Sequence, residues 1–442
     1  MPEDLWPTLK RLFSTLWPRF KEVYGRLSVL SVFILVGLWN VLISGHAAER
    51  LSRGEGLFPE TLAELREVND HLQLRFYQKL ARSRTVPFQP NRVVLVYIDD
   101  EVYWSNKWGA DPFSRSYLAD LVKNASLPMT KANIIALDFK LFAPKGYTNE
   151  IYSPRAKEND ALLKAIRTAA NENVHVVLPV AYFDENDYHV RIPGIFEDNE
   201  LPLKQPDGTC KAAGACVAFG FINAPDDRRL IPLRQSMRPL NRRKDKNSSV
   251  TYDSFALAIA RAAAENHEML TAQLTKTLGA SGDPLGSFVT KFDSVPAEKL
   301  YAGDPKTLQM CRDSIVLIGG QWHLDSGYSE SYNDAHFSPA GEISGLAFHA
   351  NYVESLLNPN AVSREVPAPF AVILDIFIGM LIYAGFDSEH QWIKVLMLVV
   401  AFAIAPVVAY LALNLTNSYL DFLLPSELYF LHVLYEYIHQ HL

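Results

Sequence analysis

The stretch that decides the fold is SIVLIGGQWHLDSGYSESYNDAHFSPAGEISGLAFHANYVESLL, residues 314–357. It opens with the apolar run IVLI, which predicts a buried strand, and Gly319 and Gly320 predict a sharp turn where that strand ends. The polar segment 321–342 indicates a long loop, and the spacing of apolar residues over 344–357 predicts a helix. A strand, a glycine turn, a loop and a helix in this order form the usual edge of a ligand cleft in an α/β sheet.

Upstream of this stretch, residues 91–359 carry the pattern of one α/β domain. Uninterrupted apolar runs predict buried strands, and apolar residues at helical spacing predict helices. In chain order the prediction is a strand at 93–98, a helix at 114–124 with Ser114 as its N-cap, a strand at 134–139, a helix at 159–173 and a strand at 174–181. This β-α-β-α-β order predicts an α/β fold with a mainly parallel sheet and right-handed crossovers.

The rest of the domain has a less regular pattern. Residues 184–215 are rich in proline, glycine and charge and predict an exposed excursion. Two short apolar runs at 217–222 and 230–233 predict a hairpin across the turn residues between them. The alanine-rich segment 254–264 predicts a helix, whereas residues 265–300 indicate helix and loop without a clear strand.

Four segments outside the domain have the composition of membrane-spanning helices, at 27–45, 370–386, 395–413 and 419–438. The first is uncharged and long enough to cross a hydrocarbon core of about 30 Å. Residues 1–26 precede it with many basic side chains and helical apolar spacing, so we predict a cytoplasmic amphipathic segment there, with a plain basic flank as the alternative. The positive-inside rule then places residues 91–359 outside the cytoplasm.

The region between the first span and the domain, 46–90, predicts a helical connector. A cleaved signal peptide is the alternative to an anchor, because His46, Ala47 and Ala48 imitate a cleavage site. The apolar run and its leader are both long for a signal peptide, which favours the anchor.

Three carboxylates lie inside or near the later spans: Asp375, Asp421 and Glu427. A charged group in the bilayer is costly and usually faces protein or water, so these residues are candidates for a partner-binding or ion-handling surface. Interfacial placement is the alternative, especially for Asp421, which lies near the start of its segment.

Composition excludes several classes of protein. The net charge of −7 and the lack of a basic stripe argue against a nucleic-acid partner. Cys210 and Cys216 share one loop and predict a local disulfide if that loop is extracytoplasmic, with two unpaired thiols as the alternative. The chain has no G-x-S-x-G, H-E-x-x-H or P-loop signature, so we predict no catalytic residue, no cofactor and no enzyme.

A candidate ligand site follows from the ends of the predicted strands, because ligands of open α/β sheets bind outside the carboxyl ends of the strands. We expect the site to include Asp99, Asp100, Asp138, Gly319, Gly320, Asp325 and His349. The alternative is that these carboxylates cap helix N-termini and strand-end amides. His323, Asp325, Asp334, His336 and His349 include metal-binding residue types, but their spacing matches no known site, so no metal is predicted.

Several motifs taken together resemble the CHASE2 family of bacterial sensor domains. They are VVLVYIDDEVY at 93–103, IIALDFKLF at 134–142, GFINAPDDRRLIPLR at 220–234, SFALAIARAA at 254–263, SIVLIGG at 314–320 and SPAGEISGLAFHANYVESLLN at 338–358. The layout of one N-terminal span, an extracytoplasmic α/β domain and three C-terminal spans is also similar to that of the family. In the family an acidic residue usually precedes the His-Ala pair of the last helix, whereas Ala347 and Phe348 precede His349 here.

The resemblance implies a membrane-anchored extracytoplasmic sensor in the bacterial inner membrane. CHASE2 domains usually feed a kinase, a cyclase or a diguanylate cyclase in the same chain, and we expect no such output domain in this one. We therefore expect a separate cytoplasmic or membrane signalling partner, contact with the lipid bilayer and a homo-oligomer. The alternatives are a structural scaffold subunit of a membrane complex and, with less support, a periplasmic hydrolase that uses the strand-end carboxylates.

Overall fold

The chain divides into two compact units, Tyr77–Ser363, here called the sheet unit, and a second, here called the terminal unit, that contains Arg364–Leu442. The computed structural model describes residues 92–99, 114–139, 141, 156–185, 188–191, 217–223, 230–239, 249–265, 267–279, 284–321, 335–338, 340–358, 362–366, 369–370, 373–374, 377–378, 381, 390–416 and 418–420. The predicted segments 1–26, 27–45 and 46–90 lie outside the described residues.

The described strands alternate with helices along much of the sheet unit. The strands are β1 (Val93–Asp99), β2 (Ile134–Asp138), β3 (His175–Val180), β4 (Tyr182–Glu185), β5 (Tyr188–Arg191), β6 (Val217–Phe221), β7 (Arg234–Pro239), β8 (Val250–Ser254), β9 (Asp293–Pro296), β10 (Ile315–Gln321), β11 (Ala335–Ser338), β12 (Gly341–Ser344), β13 (Arg364–Glu365) and β14 (Ser418–Tyr419). The helices are α1 (Arg115–Ser126), α2 (Ala156–Asn171), α3 (Phe255–Ala264), α4 (Glu268–Gly279), α5 (Ala297–Tyr301), α6 (Pro305–Cys311), α7 (Gly345–Leu357) and α8 (Gln391–Thr416).

Ten of these strands form one sheet in the order β4-β5-β7-β8-β6-β3-β2-β10-β1-β9. Only the pairs β4–β5 and β7–β8 are antiparallel, and every other neighbouring pair is parallel. The predicted α/β class with a mainly parallel sheet is therefore confirmed. Strand β10, which comes from the decisive stretch, lies between β1 and β2 at the centre of the parallel part.

Helices cover both faces of this sheet, which explains why its central strands are apolar without alternation. Alternate residues of β1 show the two faces: Val94, Val96 and Ile98 belong to one core cluster, and Val93 and Leu95 belong to the other. Helices α1, α2, α5 and α6 contribute to the first cluster, and α3, α4 and α7 contribute to the second. The sheet unit is thus a three-layer α/β/α domain.

Helix α7 confirms the helix predicted over 344–357, and it is buried along its whole length. The extended segment 285–289, here called the strap, packs against it through Phe288, whose ring centroid lies 5.7 Å from that of Tyr352 and 5.5 Å from that of Phe348. The side chain of Asn351 bonds the backbone of the same segment. The strap therefore provides cover that helical periodicity cannot predict.

One local prediction is wrong, and the excursion predicted at 184–215 is wrong in its described part, 184–185 and 188–191, while the rest of it lies outside the described residues. The hairpin predicted from 217–222 and 230–233 does not form, because β6 pairs with β3 and β8, whereas β7 pairs antiparallel with β8. The start of the predicted excursion is instead a hairpin of β4 and β5. At 217–233 the partners of β6 and β7 are strands from other parts of the chain, and turn residues alone do not reveal such pairing.

In the described part of the terminal unit, α8 overlaps the predicted span 395–413 and contains Pro406. Residues 369–370, 373–374, 377–378 and 381 are helical within or beside the predicted span 370–386. β14 lies where the fourth predicted span begins, and the rest of that span is outside the described residues. Within the described ranges, no helix combines the length and the hydropathy needed to cross a membrane. The four spans stay predictions.

Candidate functional site

The carboxyl ends of β1, β10 and β2 lie side by side at one edge of the sheet. Tyr97 is paired in register with Gly319, and Gly319 is paired with Asp138 on its other side. Asp99 follows Tyr97 by two residues and is level with Gln321. Since neighbouring strands are about 4.8 Å apart, the backbones of Asp138 and β1 are separated by roughly 10 Å across β10. The structure thus brings Asp99, Asp138 and the glycine pair to one edge.

Gly319 does not end its strand, so the predicted sharp turn is wrong. β10 continues through both glycines to Gln321. A Cβ atom at Gly319 would stand 2.6 Å from Leu346 Cδ1 and 3.2 Å from Asp138 Cβ. Glycine is therefore needed for the close approach of helix α7 to the sheet, not for a turn.

Two helices begin at this edge with capped N-termini. Ser344 precedes α7, and its Oγ accepts a hydrogen bond of 3.3 Å from Ala347 N. Ser254 precedes α3 and accepts from Leu257 N at 3.1 Å. Gly220 allows the start of α3 to approach β6, because a Cβ there would be 2.5 Å from Phe255 Cα. These caps satisfy helix amides locally.

The charges at the end of β1 act on two tyrosines. Burial is the largest cause of the raised pKa of Tyr97, and the negative charges of Asp99 and Glu298 raise it further. Burial also raises the pKa of Tyr117, with Glu298, Tyr301 and Asp99 adding to the effect. Both phenols therefore keep their protons to a higher pH than an ordinary tyrosine does.

Glu298 and the tyrosines are absent from the sequence-based site, although they lie near Asp99. Glu298 belongs to α5, which directly follows β9 (DSVP), and that strand has no apolar run to reveal it. Within the described residues, Glu298 Oε2 is buried without a hydrogen-bond partner. Only the pairing of β9 with β1 brings this carboxylate towards Asp99.

His349 lies one turn inside α7 and is only 8% exposed. Its ring packs edge-on against Phe255 of α3, with centroids 5.2 Å apart, and also contacts Phe348. This side chain is thus packed between the two helices of one layer, and its predicted role in binding a ligand stays a prediction.

Of the other candidate residues, only His336 is among those that the structure describes. Asp100, Asp325, Cys210, Cys216, Asp375, Asp421, Glu427, His323 and Asp334 lie outside the described residues. His336 is described in β11, where its ring centroid lies 5.5 Å from that of Phe348. In the part of the chain that is described, no group of three or more His, Cys, Asp or Glu residues is arranged to hold a metal ion.

The arrangement at this edge favours groups that donate hydrogen bonds or carry positive charge, because ionised carboxylates only accept hydrogen bonds. Asp99 and Asp138 each also have an interaction inside the protein. Ligand binding and the alternative role, in which they satisfy strand-end and helix-start amides, therefore both stay predictions.

Comparison with known proteins gives one match. The family described as the CHASE2 domain matches residues 58–385, a range that includes every described residue of the sheet unit. No curated protein and no solved structure matches the chain significantly.

Proposed function

We propose, from the premise that this chain belongs to the CHASE2 family, that it is a membrane-anchored extracytoplasmic sensor. CHASE2 is a family of extracytoplasmic sensor domains, and its match extends over the whole α/β domain. The sensor passes ligand binding or assembly state to separate partner proteins. It acts by binding, without catalytic turnover of its own.

The observation that carries the proposal is the carboxyl edge formed by β1, β10 and β2. Asp99 and Asp138 stand at this edge on either side of β10. Open parallel sheets bind their ligands at this position. The ligand we propose therefore has hydrogen-bond donors or a positive charge that face the two carboxylates.

Attachment to the membrane is supported by the uncharged sequence segments and by the surface of α8. Trp392 is 67% exposed, Val399 58% and Leu415 78%. Apolar side chains concentrated in this way on one helix are unusual on a surface that faces water. We propose that lipid covers them in a bacterial inner membrane, with the sheet unit on the periplasmic side.

A sensor must have different affinities for its ligand in two states, because a ligand that binds both states equally shifts no equilibrium. A change in packing between copies of the chain provides two such states, so we include a homo-oligomer in the proposal. The partner that reads this change is a separate cytoplasmic or membrane protein.

The test starts with the full chain, tagged and purified from its native host in mild detergent. The mass and composition of the complex are measured for the wild type and for Asp99→Asn and Asp138→Asn. We expect a kinase, a cyclase or another effector to co-purify with the chain. Its activity should respond to ligand binding or assembly of the wild type and should not respond in the Asn variants.

Two other outcomes contradict the proposal. A large ring or array of the chain that both Asn variants assemble unchanged identifies a scaffold. A hydrolytic activity that the wild type has and that folded Asn variants lose identifies an enzyme. The Asn substitutions suit this purpose because they keep the size of the side chain and remove its charge.

A further inference from the structure

Helix α7 holds the strap through side chains instead of backbone bonds. Val289 N donates to Asn351 Oδ1 at 2.7 Å, and Asn351 Nδ2 donates to Val289 O at 3.1 Å. Ser287 N donates to Ser355 Oγ at 3.1 Å, and that hydroxyl lies 3.3 Å from Ser287 O. Asn351 and Ser355 are four residues apart, so both project from one side of the helix.

The strap also holds the last residue of the sheet unit. Leu285 N donates to Ser363 O at 2.9 Å, and Ser363 N donates to Leu285 O at 2.8 Å. The hydroxyl oxygens of Ser287 and Ser363 are 3.3 Å apart. Ser363 is fully buried, and the chain continues from it into Arg364, the first residue of the terminal unit after the sheet unit.

The other end of α7 reaches the carboxyl edge of the sheet. Leu346, in its first turn, lies against Gly319 and is 1% exposed. Glu354, near its C-terminal end, accepts hydrogen bonds from Arg92 N and Val93 N at the opposite end of β1. The helix therefore runs from the candidate ligand site to the amino edge of the sheet.

We infer that α7 and the strap form a mechanical link between the candidate ligand site and the exit of the chain at Ser363. Movement of α7 at Leu346 displaces the strap through Asn351 and Ser355, and the strap displaces Ser363. The inference rests on the proposed sensor function, to which it adds the route by which binding reaches the terminal unit.

The physical reason is the burial of these polar groups. Asn351, Ser355 and Ser363 are each 0% exposed, and Ser287 is 2% exposed. A buried amide or hydroxyl that loses its partner pays its full desolvation cost, so the strap follows the helix instead of separating from it. Apolar contacts alone are less directional and tolerate sliding.

The test uses hydrogen–deuterium exchange on the full-length chain, without ligand or partner. Gly319→Ala is the perturbation at the carboxyl edge, because its methyl group crowds Leu346. Exchange is measured for the peptide that contains residues 362–366. None of the variants removes an acceptor to which the backbone amides of this peptide donate a hydrogen bond. A coupling of ordinary strength changes its exchange rate by about two- to thirtyfold.

The link is then broken with Asn351→Ala and Ser355→Ala, made singly and together. We expect Gly319→Ala to change exchange at 362–366 in the wild-type background and to lose most of that effect when the link is broken. Asn124→Ala is the matched control: Asn124 Nδ2 donates to Leu300 O and Tyr301 O in the opposite helix layer, so its loss must leave the effect intact.

Leu346→Ala is a second perturbation at the same site, in case Gly319→Ala does not fold. No change at 362–366 with either variant overturns the inference, as does a change that persists undiminished in the doubly substituted background. Exchange needs no ligand, so a negative result here leaves the sensor proposal standing, and failure of the sensor proposal leaves a measured coupling standing.

Discussion

Helices α7 and α8 are both predominantly apolar, yet α7 is completely buried and α8 is largely exposed on one side. All residues of α7 are buried, including Asn351, Glu354 and Ser355, whose polar groups bond backbone of the same domain. Helix α8 exposes Val399, Val407 and Leu415 and buries Ala405 and Ala409. The comparison shows that α7 is covered by its own chain, whereas one side of α8 leaves apolar side chains exposed, which lipid covers in the function proposed above.

A topology reporter tests the proposed difference between the two helices most directly, because its readout of which segments lie outside the cytoplasm is close to all-or-none. Alkaline phosphatase fused within 91–359 is expected to be active, and the same enzyme fused after residue 442 inactive, because four predicted spans return the chain to the cytoplasm. Activity is measured in whole cells with both fusions expressed to equal levels. An active fusion after residue 442 refutes the even number of spans.

The largest expected change in stability comes from Glu354→Ala in α7. Its carboxylate accepts from Arg92 N at 2.9 Å and Val93 N at 3.0 Å, so truncation removes the acceptor of the buried Val93 amide at the start of β1 and of the partly buried Arg92 amide before it. We expect a loss of about 3 kcal/mol in the free energy of unfolding, measured by chemical denaturation. Glu354→Gln keeps an oxygen acceptor and should lose less; equal losses would show that the amides do not depend on this oxygen.

In α8, a charge in the middle of the exposed side tests which medium covers it. Val407 is 54% exposed, and Val407→Asp should be nearly harmless in water but should cost about 3 kcal/mol at the centre of a bilayer. Carbonate extraction of cell membranes measures the retained fraction. Leu415→Asp is the control near the helix end, where the charge reaches the interface more easily. If both variants are retained in the membranes as fully as the wild type, the charge has no cost at either position, which argues against contact between Val407 and lipid.

The smallest expected effect is the loss of the N-cap of α7. Ser344 Oγ accepts from Ala347 N, and Ser344→Ala should lower the free energy of unfolding by about 1 kcal/mol. Ser344→Asp restores an acceptor and should recover most of that loss. The measurement separates the contribution of the cap to the free energy of unfolding from the larger contribution of the polar groups further along α7.

Some of the fold could be predicted from local pattern. Continuous apolar runs identified β1, β2, β3 and β10, and Ser114 was predicted as an N-cap, which its contact with Tyr117 N confirms. β9 was not predicted, because its sequence DSVP has no apolar run and the strand is recognised only by its pairing with β1. The predicted hairpin failed because β8 supplies the partner of β7.

The candidate site was predictable only where strand ends define it. Asp99 and Asp138 were found because an apolar run followed by aspartate indicates a carboxyl edge. Glu298 was missed because α5 is far from β1 in the chain, and Tyr117 was missed because the helical pattern of α1 does not show that the charge of Asp99 acts on its phenol. Gly319 was predicted for the wrong reason, since a turn was expected and the structure instead shows crowding by Leu346, which is a tertiary contact.

The sequence by itself determined the α/β class, the order of the central elements and the family, because apolar runs and helical spacing are local consequences of burial on both faces of a sheet. The tertiary structure decided the position of β10, the complete burial of α7 and the attachment of the strap to Ser363. These depend on hydrogen bonds between residues far apart in the chain, and local sequence carries no record of which distant partner satisfies a backbone group.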